Sequence, residues 1–159
     1  GHGSANKDTH FAKADISQSW IEQELIPYRK LIKDRYADLV MVSHLYNEKL
    51  DDEYPASLSK KVITTLLREQ LEWEGVIITD DLQMRAISDQ YSITEIIKLA
   101  ILAGNDLLLI GNCDPSQQIS LKQLVDIIRN LVASGEIPES RIEESYQRIR
   151  ELKGKFIDI

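Results

Sequence analysis

Residues 75–81 read Gly75-Val76-Ile77-Ile78-Thr79-Asp80-Asp81, an apolar, β-branched run that ends at two adjacent aspartates. A short continuous run of this kind is typical of a strand buried on both faces, as in a parallel sheet, whereas a half-exposed strand would alternate polar and apolar residues. The stretch therefore predicts a buried strand with two carboxylates at its carboxyl end.

One similar run lies on each side of this stretch. Residues 38–44 read Asp-Leu-Val-Met-Val-Ser-His and residues 106–111 read Asp-Leu-Leu-Leu-Ile-Gly, and each predicts a further buried strand. Apolar residues at helical spacing predict helices between and after these strands. They run from Ser17 to Ile32, from Ser59 as the N-cap to Leu71, from Thr94 to Ala103 with Gly104 as the C-terminal cap, from Pro115 to Ser134, and from Glu139 to Lys153.

The alternation of strands and helices predicts an α/β fold with a parallel sheet. Three parallel strands by themselves would leave both outer strands with unpaired edges. We therefore expect the chain to form the C-terminal half of a (β/α)8 TIM barrel, with about three parallel strands and surrounding helices, and the first half to lie upstream. The start at Gly1-His2-Gly3-Ser4, without an initiator Met, agrees with this expectation.

The composition excludes several classes of protein. The chain has 19 Lys and Arg residues against 26 Asp and Glu residues, a formal net charge of −7, and no basic block, so we expect no nucleic-acid partner. Its most apolar stretch, residues 99–110, is interrupted by polar residues and falls short of the ~20 residues that span a bilayer. The single Cys113 can form neither a disulfide within the chain nor a zinc site.

Asp80 is the strongest candidate for a catalytic residue. Reactive groups in parallel α/β folds lie just beyond the carboxyl ends of the strands. A carboxylate after Val-Ile-Ile-Thr would have the fixed position and limited solvent access that a covalent nucleophile needs. The alternative is that one of the two aspartates caps the next helix, and with Asp80 and Asp81 adjacent, both roles can be filled.

The first 17 residues predict a polar loop that contains His2, Asp8 and His10. Asp8 and His10 are two residues apart, so the carboxylate could orient the imidazole and raise its basicity as an acid/base pair. Two alternatives stay open: a solvated loop, which composition alone favours, and a metal site, although the spacing matches no strong ligand motif. If residues 1–4 were a cloning remnant, His2 would have no role.

His44 follows the first predicted strand. It could face a ligand at the end of that strand, but a buried histidine hydrogen-bonded to the backbone is the more common arrangement, and we favour it.

Several segments of the chain match, in order, the motifs of one enzyme family. Residues 1–10 match Gly-His-Gly, a spacer and Asp-Ser-His, and residues 39–45 match Val-Met-Thr-Ala-His. Residues 55–59 match Pro-Ala-Thr-Leu-Ser, and residues 67–84 match Leu-Arg-Glu-Glu-Leu-Gly-Phe-Asp-Gly-Val-Ile-Ser-Asp-Asp-Leu-x-Met. Residues 103–106 and 135–142 also follow the family in order. In these segments the chain resembles the family 3 glycoside hydrolases, specifically their bacterial β-N-acetylglucosaminidase branch. The Asp-Asp-Leu-x-Met block and the Asp-x-His loop are specific in combination.

The resemblance implies a retaining exo-glycoside hydrolase that releases β-linked N-acetylglucosamine from a small carbohydrate or cell-wall fragment by double displacement. Carried over residue by residue, it makes Asp80 the nucleophile, His10 the general acid/base and Asp8 the carboxylate that orients His10. It further implies neither a cofactor nor a metal, and substrate contacts at three residues: His2, His44 and Met84. Because a neutral histidine does not repel an anionic nucleophile, phosphate could replace water, so a β-glycoside phosphorylase of the same family is an alternative.

The chain also departs from the family pattern. The Lys-His-Phe-Pro that precedes Gly-His-Gly in relatives, and the acidic and arginine residues that hold the sugar, are absent from these 159 residues. We expect residues 1–159 to be part of one catalytic barrel domain, and the isolated chain to have little activity without its partner, the first half of the barrel. A noncatalytic sugar-binding or assembly half-barrel is the second alternative, and localisation is open between the bacterial cytoplasm and the cell envelope.

Overall fold

The predicted strands form one parallel sheet. In the computed structural model, which describes residues 3, 5, 8 and 13–156, they are β1 (Leu39–Val42), β2 (Val76–Asp81) and β3 (Leu107–Leu109), in the order β1-β2-β3. Ile78 of β2 lies opposite Met41 of β1 and Leu107 of β3. Because the strands are parallel, their carboxyl ends meet at one end of the sheet, where reactive groups lie in such folds.

Helices connect and cover the strands. They are α1 (Ile26–Lys33), α2 (Lys61–Gln70), α3 (Arg85–Ser88), α4 (Ile93–Ala103), α5 (Leu121–Ala133) and α6 (Glu139–Gly154), with short 3-10 turns at Glu22–Leu25, Ala56–Leu58 and Pro115–Gln117. α2 is wound as a π-helix, in which each backbone hydrogen bond spans one residue more than in an α-helix. This order of strands and helices confirms the predicted α/β class. Within the described residues, no helix is both long enough and apolar enough to cross a bilayer.

Two helices begin later in the structure than the apolar spacing predicts. The helix predicted after Ser17 is a 3-10 turn followed by α1, whose Pro27 lies in the first turn, where its missing N–H is tolerated. The helix predicted from Pro115 begins at Leu121, because Ser120 caps it and forms a reciprocal pair of hydrogen bonds with Gln123. Local backbone chemistry thus sets boundaries that apolar spacing does not register.

Two predicted caps are present. The Ser59 hydroxyl accepts a hydrogen bond from the N–H of Val62 at 3.0 Å, at the start of α2. Gly104 ends α4 in the left-handed region, with φ of 119°, where a residue with a side chain would be strained.

β1 is buried on one face only, which corrects the prediction of a strand buried on both faces. Val42 packs in the core with Ile77, but Leu39 and Met41 are 43% and 52% exposed. Because side chains alternate along a strand, Leu39 and Met41 share a face with Ile78 of β2. We call this side of the sheet, marked by Leu39, Met41 and Ile78, the open face.

The opposite side of the sheet packs against the helices. Ile77 and Thr79 of β2 have no exposed surface on this side. The large buried side chains that cover it come mainly from α2 and α4: Ile63, Leu67, Ile96, Ile97 and Ile101. Because burying one such side chain contributes about 1.5–3 kcal/mol, this layer holds the strands and their carboxyl ends in place.

The amino end of the sheet is closed around a buried aspartate, Asp106, which directly precedes β3. Its side chain has no exposed surface and pairs with three guanidinium groups. The carboxylate accepts hydrogen bonds from Arg68 at 2.7 Å, Arg141 at 3.2 Å, Arg148 at 3.2 Å, the Ser145 hydroxyl at 2.8 Å and the N–H of Ile77 at 3.0 Å.

Burial lowers the pKa of the Arg68 guanidinium, and the negative charge of Asp106 opposes that effect. The cluster joins α2, β2, β3 and α6.

Candidate active site

The two aspartates at the end of β2 have different surroundings. Asp80 alternates with Ile78 and so belongs to the open face, whereas Asp81 belongs to the opposite side. The Asp81 carboxylate accepts hydrogen bonds from the N–H groups of Gln83, at 3.0 Å, and Gly111, at 3.1 Å. Half-buried Asp80 accepts one hydrogen bond through Oδ1, from the N–H of Asp81 at 2.9 Å, and its Oδ2 has no hydrogen bond to any described residue. Asp81 therefore holds the turn, whereas one carboxylate oxygen of Asp80 accepts no hydrogen bond from the described residues.

His44 connects the carboxyl ends of β1 and β2. Its ring is fully buried, with Nδ1 at 2.6 Å from the Ser57 hydroxyl and Nε2 at 2.8 Å from the carbonyl oxygen of Asp81. Because a carbonyl oxygen only accepts, Nε2 carries a proton, and in the neutral ring Nδ1 accepts from Ser57. The favoured sequence interpretation, a buried histidine bonded to the backbone, is confirmed. The ring has no exposed surface in this structure, and the substrate contact that the resemblance implies for His44 stays a prediction.

Met84 lies in the turn between β2 and α3. Its N–H donates to the carbonyl oxygen of Asp81 at 3.0 Å, and its own carbonyl oxygen accepts from the N–H groups of Ile87 and Ser88. The residue is only 6% exposed. Met84 therefore closes the turn after the two aspartates, and little of its side chain is left for the substrate contact that the resemblance implies.

The N-terminal loop is anchored at the carboxyl end of β1. The N–H of Ile16 donates to the carbonyl oxygen of Tyr46, and the N–H of Tyr46 donates to that of Ala14, both at 2.9 Å. Ala14 and Ile16 also pack against buried Leu45. These contacts tie the end of the loop to the residues that follow His44.

The predicted acid/base pair precedes this anchor. Asp8 is exposed, and both His2 and His10 lie outside the described residues. The pairing of Asp8 with His10 and the substrate contact at His2 therefore stay predictions.

The loop after β3 closes the other side of the site. Gly111 approaches Asp81 so closely that a Cβ atom at this position would lie 2.3 Å from Oδ2 of Asp81. The next residue, Asn112, donates its N–H to the side-chain oxygen of Gln83 at 2.6 Å. The loop is thus tied to the turn after β2 at two consecutive residues.

The chemistry that this arrangement offers centres on one carboxylate. An aspartate at the end of a buried strand, with one oxygen uncommitted, can attack an electron-poor carbon or stabilise positive charge on it. Among the described residues, no group of three His, Cys, Asp or Glu side chains is placed to hold a metal ion.

The chain matches, over residues 1–152, the model of a known protein family, described as the glycosyl hydrolase family 3 N terminal domain. The chain belongs to glycosyl hydrolase family 3. A similar curated relative, the β-hexosaminidase of Tolumonas auensis, is 35% identical over 115 residues, which are 70% of this chain and 34% of the relative. The β-hexosaminidase of Psychromonas ingrahamii is 33% identical over 160 residues, covering 99% of this chain and 44% of the relative. The chain thus spans less than half the length of these curated relatives.

Solved family 3 structures share the fold. The β-N-acetylglucosaminidase of Paenibacillus sp. str. FPU-7 superposes with a TM-score of 0.85 and 35% identity, covering 98% of this chain and 29% of that chain. The β-N-acetylglucosaminidase of Thermotoga maritima gives a TM-score of 0.80 at 28% identity, over 96% and 32% of the two chains. These matches confirm the family resemblance and the expected half of a family 3 barrel.

Three residues of this family 3 site were not among the sequence-based candidates: Ser57, Gln83 and Gly111. Ser57 lies in a segment that matches a family motif, and Gly111 ends a predicted strand. The sequence pattern could therefore have indicated both residues as candidates. Gln83 occupies the variable position of Asp-Asp-Leu-x-Met, so the motif says nothing about it. Its contacts become visible only when β2 and the loop after β3 lie side by side.

Proposed function

We propose that the full-length protein containing this chain is a retaining exo-glycoside hydrolase that releases β-linked N-acetylglucosamine, with Asp80 as its nucleophile. The observation that carries the proposal is the contrast within the aspartate pair: Asp81 is committed to two backbone N–H groups, and Asp80 keeps an oxygen without a described partner. Membership of family 3 supports glycoside hydrolysis. The β-N-acetylglucosaminidase names of the similar Paenibacillus and Thermotoga maritima proteins support the substrate class.

Asp80 is suited to attack because a hydrogen bond fixes one oxygen of its carboxylate and the other oxygen has no hydrogen-bond donor among the described residues. The hydrogen bond from the N–H of Asp81 orients Oδ1 and leaves Oδ2 to approach a ligand from the open face. The Asp81 carbonyl oxygen accepts from His44 and from Met84, so the peptide that follows Asp81, one residue beyond Asp80, is held from two directions. A nucleophile restrained in this way loses little freedom when the substrate binds.

The proposed reaction has two steps. In the first step, Oδ2 of Asp80 bonds to the anomeric carbon while the glycosidic C–O bond breaks, and protonated His10 gives its proton to the leaving oxygen. In the second step, neutral His10 takes a proton from water, the water oxygen bonds to the anomeric carbon, and Asp80 leaves as a carboxylate. Asp8 would orient His10, and the anchor of the N-terminal loop at Tyr46 supports a place for the pair at this end of the sheet.

The first test is turnover of 4-nitrophenyl β-N-acetylglucosaminide by the full-length protein and two variants. We expect Asp80→Asn to lower kcat by about 10⁴-fold or more, since removing a covalent nucleophile removes the first step. Asp89→Asn, at an exposed aspartate just after α3, serves as the control and should keep wild-type turnover. Azide added to Asp80→Ala should restore turnover and give a glycosyl azide of the opposite anomeric configuration. Wild-type turnover by Asp80→Asn would refute the assignment.

The product distinguishes hydrolysis from the alternatives. With inorganic phosphate in the assay, we expect free N-acetylglucosamine, identified by NMR. A sugar 1-phosphate would instead show a phosphorylase that uses the same nucleophile. Binding of the sugar without turnover by the wild-type protein would favour a noncatalytic module and overturn the proposal.

A further inference from the structure

Gln83 uses its side chain to reach from the turn after β2 to the loop after β3. Its Oε1 accepts a hydrogen bond from the N–H of Asn112 at 2.6 Å. Its Nε2 donates to the carbonyl oxygen of Gln117 at 2.5 Å and, at 3.3 Å, to the side-chain oxygen of Asn112. One neutral amide thus contacts both the beginning and the middle of the loop. An amide can both accept and donate in this way, whereas a carboxylate only accepts.

The loop that Gln83 holds is closed on itself by Asn112. The Asn112 side chain donates through Nδ2 to the carbonyl oxygen of Ile119 at 3.0 Å and accepts through Oδ1 from the N–H of Ile119 at 3.0 Å. Asn112 has φ of 50°, a left-handed conformation that asparagine tolerates better than most residues. The Asn112 side chain therefore closes residues 112–119 into a ring, which we call the β3–α5 loop.

The root of the β3–α5 loop lies against Asp81 at the carboxyl end of β2. Gly111 donates its N–H to the carboxylate of Asp81, the residue next to Asp80, and has no room for a side chain there. The residues that follow, 112–116, are exposed, so the loop projects from the end of the sheet and is not packed into the core. Its position at the carboxyl end of the sheet therefore depends on a few polar contacts, and three of them come from Gln83.

We propose that Gln83 is a positioning residue that fixes the β3–α5 loop as a wall of the substrate cleft beside Asp80. This inference rests on the proposed function and extends it. It states that the Gln83 side chain, at the variable position of Asp-Asp-Leu-x-Met, determines how wide the substrate cleft is on the side of β3. Among the described residues, the Gln83 side chain hydrogen-bonds to the loop and not to Asp80, so its loss weakens substrate binding more than it slows the chemistry.

Two measurements on the full-length protein test the role of Gln83. In Gln83→Ala, the N–H of Asn112 loses its acceptor, so its hydrogen exchange should accelerate by about five- to tenfold, the effect of losing one hydrogen bond. The KM for 4-nitrophenyl β-N-acetylglucosaminide should rise by about five- to tenfold, while kcat stays within about twofold. Exchange of the β2 N–H groups of residues 76–79 should not change.

Matched variants separate the contacts. Gln83→Glu can still accept from Asn112 but places its second oxygen against the Gln117 carbonyl oxygen, so we expect near-normal exchange at Asn112 with a raised KM. Asp89→Asn is the control, because Asp89 is exposed just after α3 and lies outside the β3–α5 loop, and it should match the wild-type protein in both measurements.

The outcomes that would overturn the inference are distinct. Unchanged exchange at Asn112 in Gln83→Ala would show that Gln83 does not hold the loop. Faster exchange with an unchanged KM would show that the loop is not a wall of the cleft. A wild-type protein without turnover would refute the proposed function and the cleft role together, and exchange would still decide whether Gln83 holds the loop.

Discussion

Asp106 and Asp80 lie at opposite ends of the same three-stranded sheet, and their carboxylates are used in opposite ways. Asp106, at the amino end, is fully buried and accepts hydrogen bonds from three arginines, a serine and a backbone N–H. Asp80, at the carboxyl end, is half-buried and accepts one hydrogen bond, from the N–H of its neighbour Asp81. The residue type is the same, but the number of donors around it differs.

The comparison shows what makes one of two aspartates available for chemistry. Both carboxylate oxygens of Asp106 accept hydrogen bonds that join helices to strands. Replacing Asp106 should therefore affect folding. The Asp81 carboxylate accepts hydrogen bonds that hold the turn, whereas one oxygen of Asp80 accepts none from the described residues. Removal of Asp80 should therefore affect activity. This division agrees with the general pattern of parallel α/β barrels, in which one end of the strands serves stability and the other serves function.

The largest effect on stability is expected for Asp106→Asn. The substitution removes the charge that compensates three arginines, and it turns an acceptor into a donor that faces other donors. We expect the free energy of unfolding, measured with urea, to fall by about 3–5 kcal/mol. Asp126→Asn is the control, because Asp126 pairs with Lys122 on an exposed helix surface at 2.6 Å, and such pairs contribute about 0–1 kcal/mol. A cost for Asp106→Asn similar to that of the control would break the comparison between the two ends.

A smaller effect is expected for His44, which links the carboxyl ends of two strands. In His44→Asn the amide can still meet Ser57 but no longer reaches the Asp81 carbonyl oxygen, whereas in His44→Gln the amide nitrogen takes the place of Nε2. We expect His44→Asn to lower the free energy of unfolding by about 2–3 kcal/mol, because a buried carbonyl oxygen loses a donor, and His44→Gln to lower it by less. The kcat of the full-length protein should fall further in His44→Asn than in His44→Gln, and equal kcat values would argue against the positioning of Asp80 by His44.

Gly111→Ala tests the close approach between the β3–α5 loop and Asp81. A Cβ at 2.3 Å from Oδ2 forces the carboxylate or the loop to move, and that carboxylate is held by two N–H groups. We expect a loss of about 1–2 kcal/mol in the free energy of unfolding, in the range of overpacking substitutions. Gly154→Ala, at the end of α6 with open space around it, should be neutral or slightly stabilising. Wild-type stability in Gly111→Ala would show that the loop root is not fixed.

The smallest effect concerns a second structural aspartate, Asp51, in the segment between β1 and α2. Burial by itself would raise the pKa of Asp51. Three hydrogen bonds to the carboxylate, from the Ser59 hydroxyl and the N–H groups of Glu53 and Tyr54, act in the opposite direction, as does the charge of Lys61. Together they outweigh burial, and the pKa lies below its ordinary value of 3.8. A lowered pKa in the folded state stabilises the fold above pH 3.8, and the gain is lost as the pH falls through the folded-state pKa.

The measurement is thermal unfolding between pH 6 and pH 2.5 for the wild type and Asp51→Asn. We expect the stability difference between the two to be largest at pH 6 and to shrink as the pH falls. A difference that stays constant over this range would contradict the lowered pKa of Asp51.

The strands could be predicted from residues 38–44, 75–81 and 106–111, because an apolar run between polar ends is a local signal. Their order along the chain fixed the parallel sheet, and Asp80 followed from its position at a strand end. The exposure of Leu39 and Met41 could not be predicted, because a run of apolar residues does not tell which of its two faces another element covers.

The candidate site was less accessible to sequence reasoning, because it depends on contacts between distant residues. The division of roles between Asp80 and Asp81 follows from the approach of Gly111, 30 residues away along the chain from Asp81. The side-chain partners of Asp106 lie 35 to 42 residues away along the chain, on two helices, and no local sequence pattern predicts that they meet. Gln83 lies at a position that the family motif leaves open.

The exposed side of β1 has a consequence for the behaviour of this polypeptide in concentrated solution. Leu39-Val40-Met41-Val42 is an uncharged apolar segment, and within residues 13–156 its only strand partner is β2, so its other edge pairs with no described strand. Such an edge templates pairing between molecules and initiates aggregation. The net charge of −7 and the exposed Asp38 that precedes the strand act as gatekeepers against it. Colloidal behaviour of the chain should therefore worsen as the pH approaches the isoelectric point near 5.0.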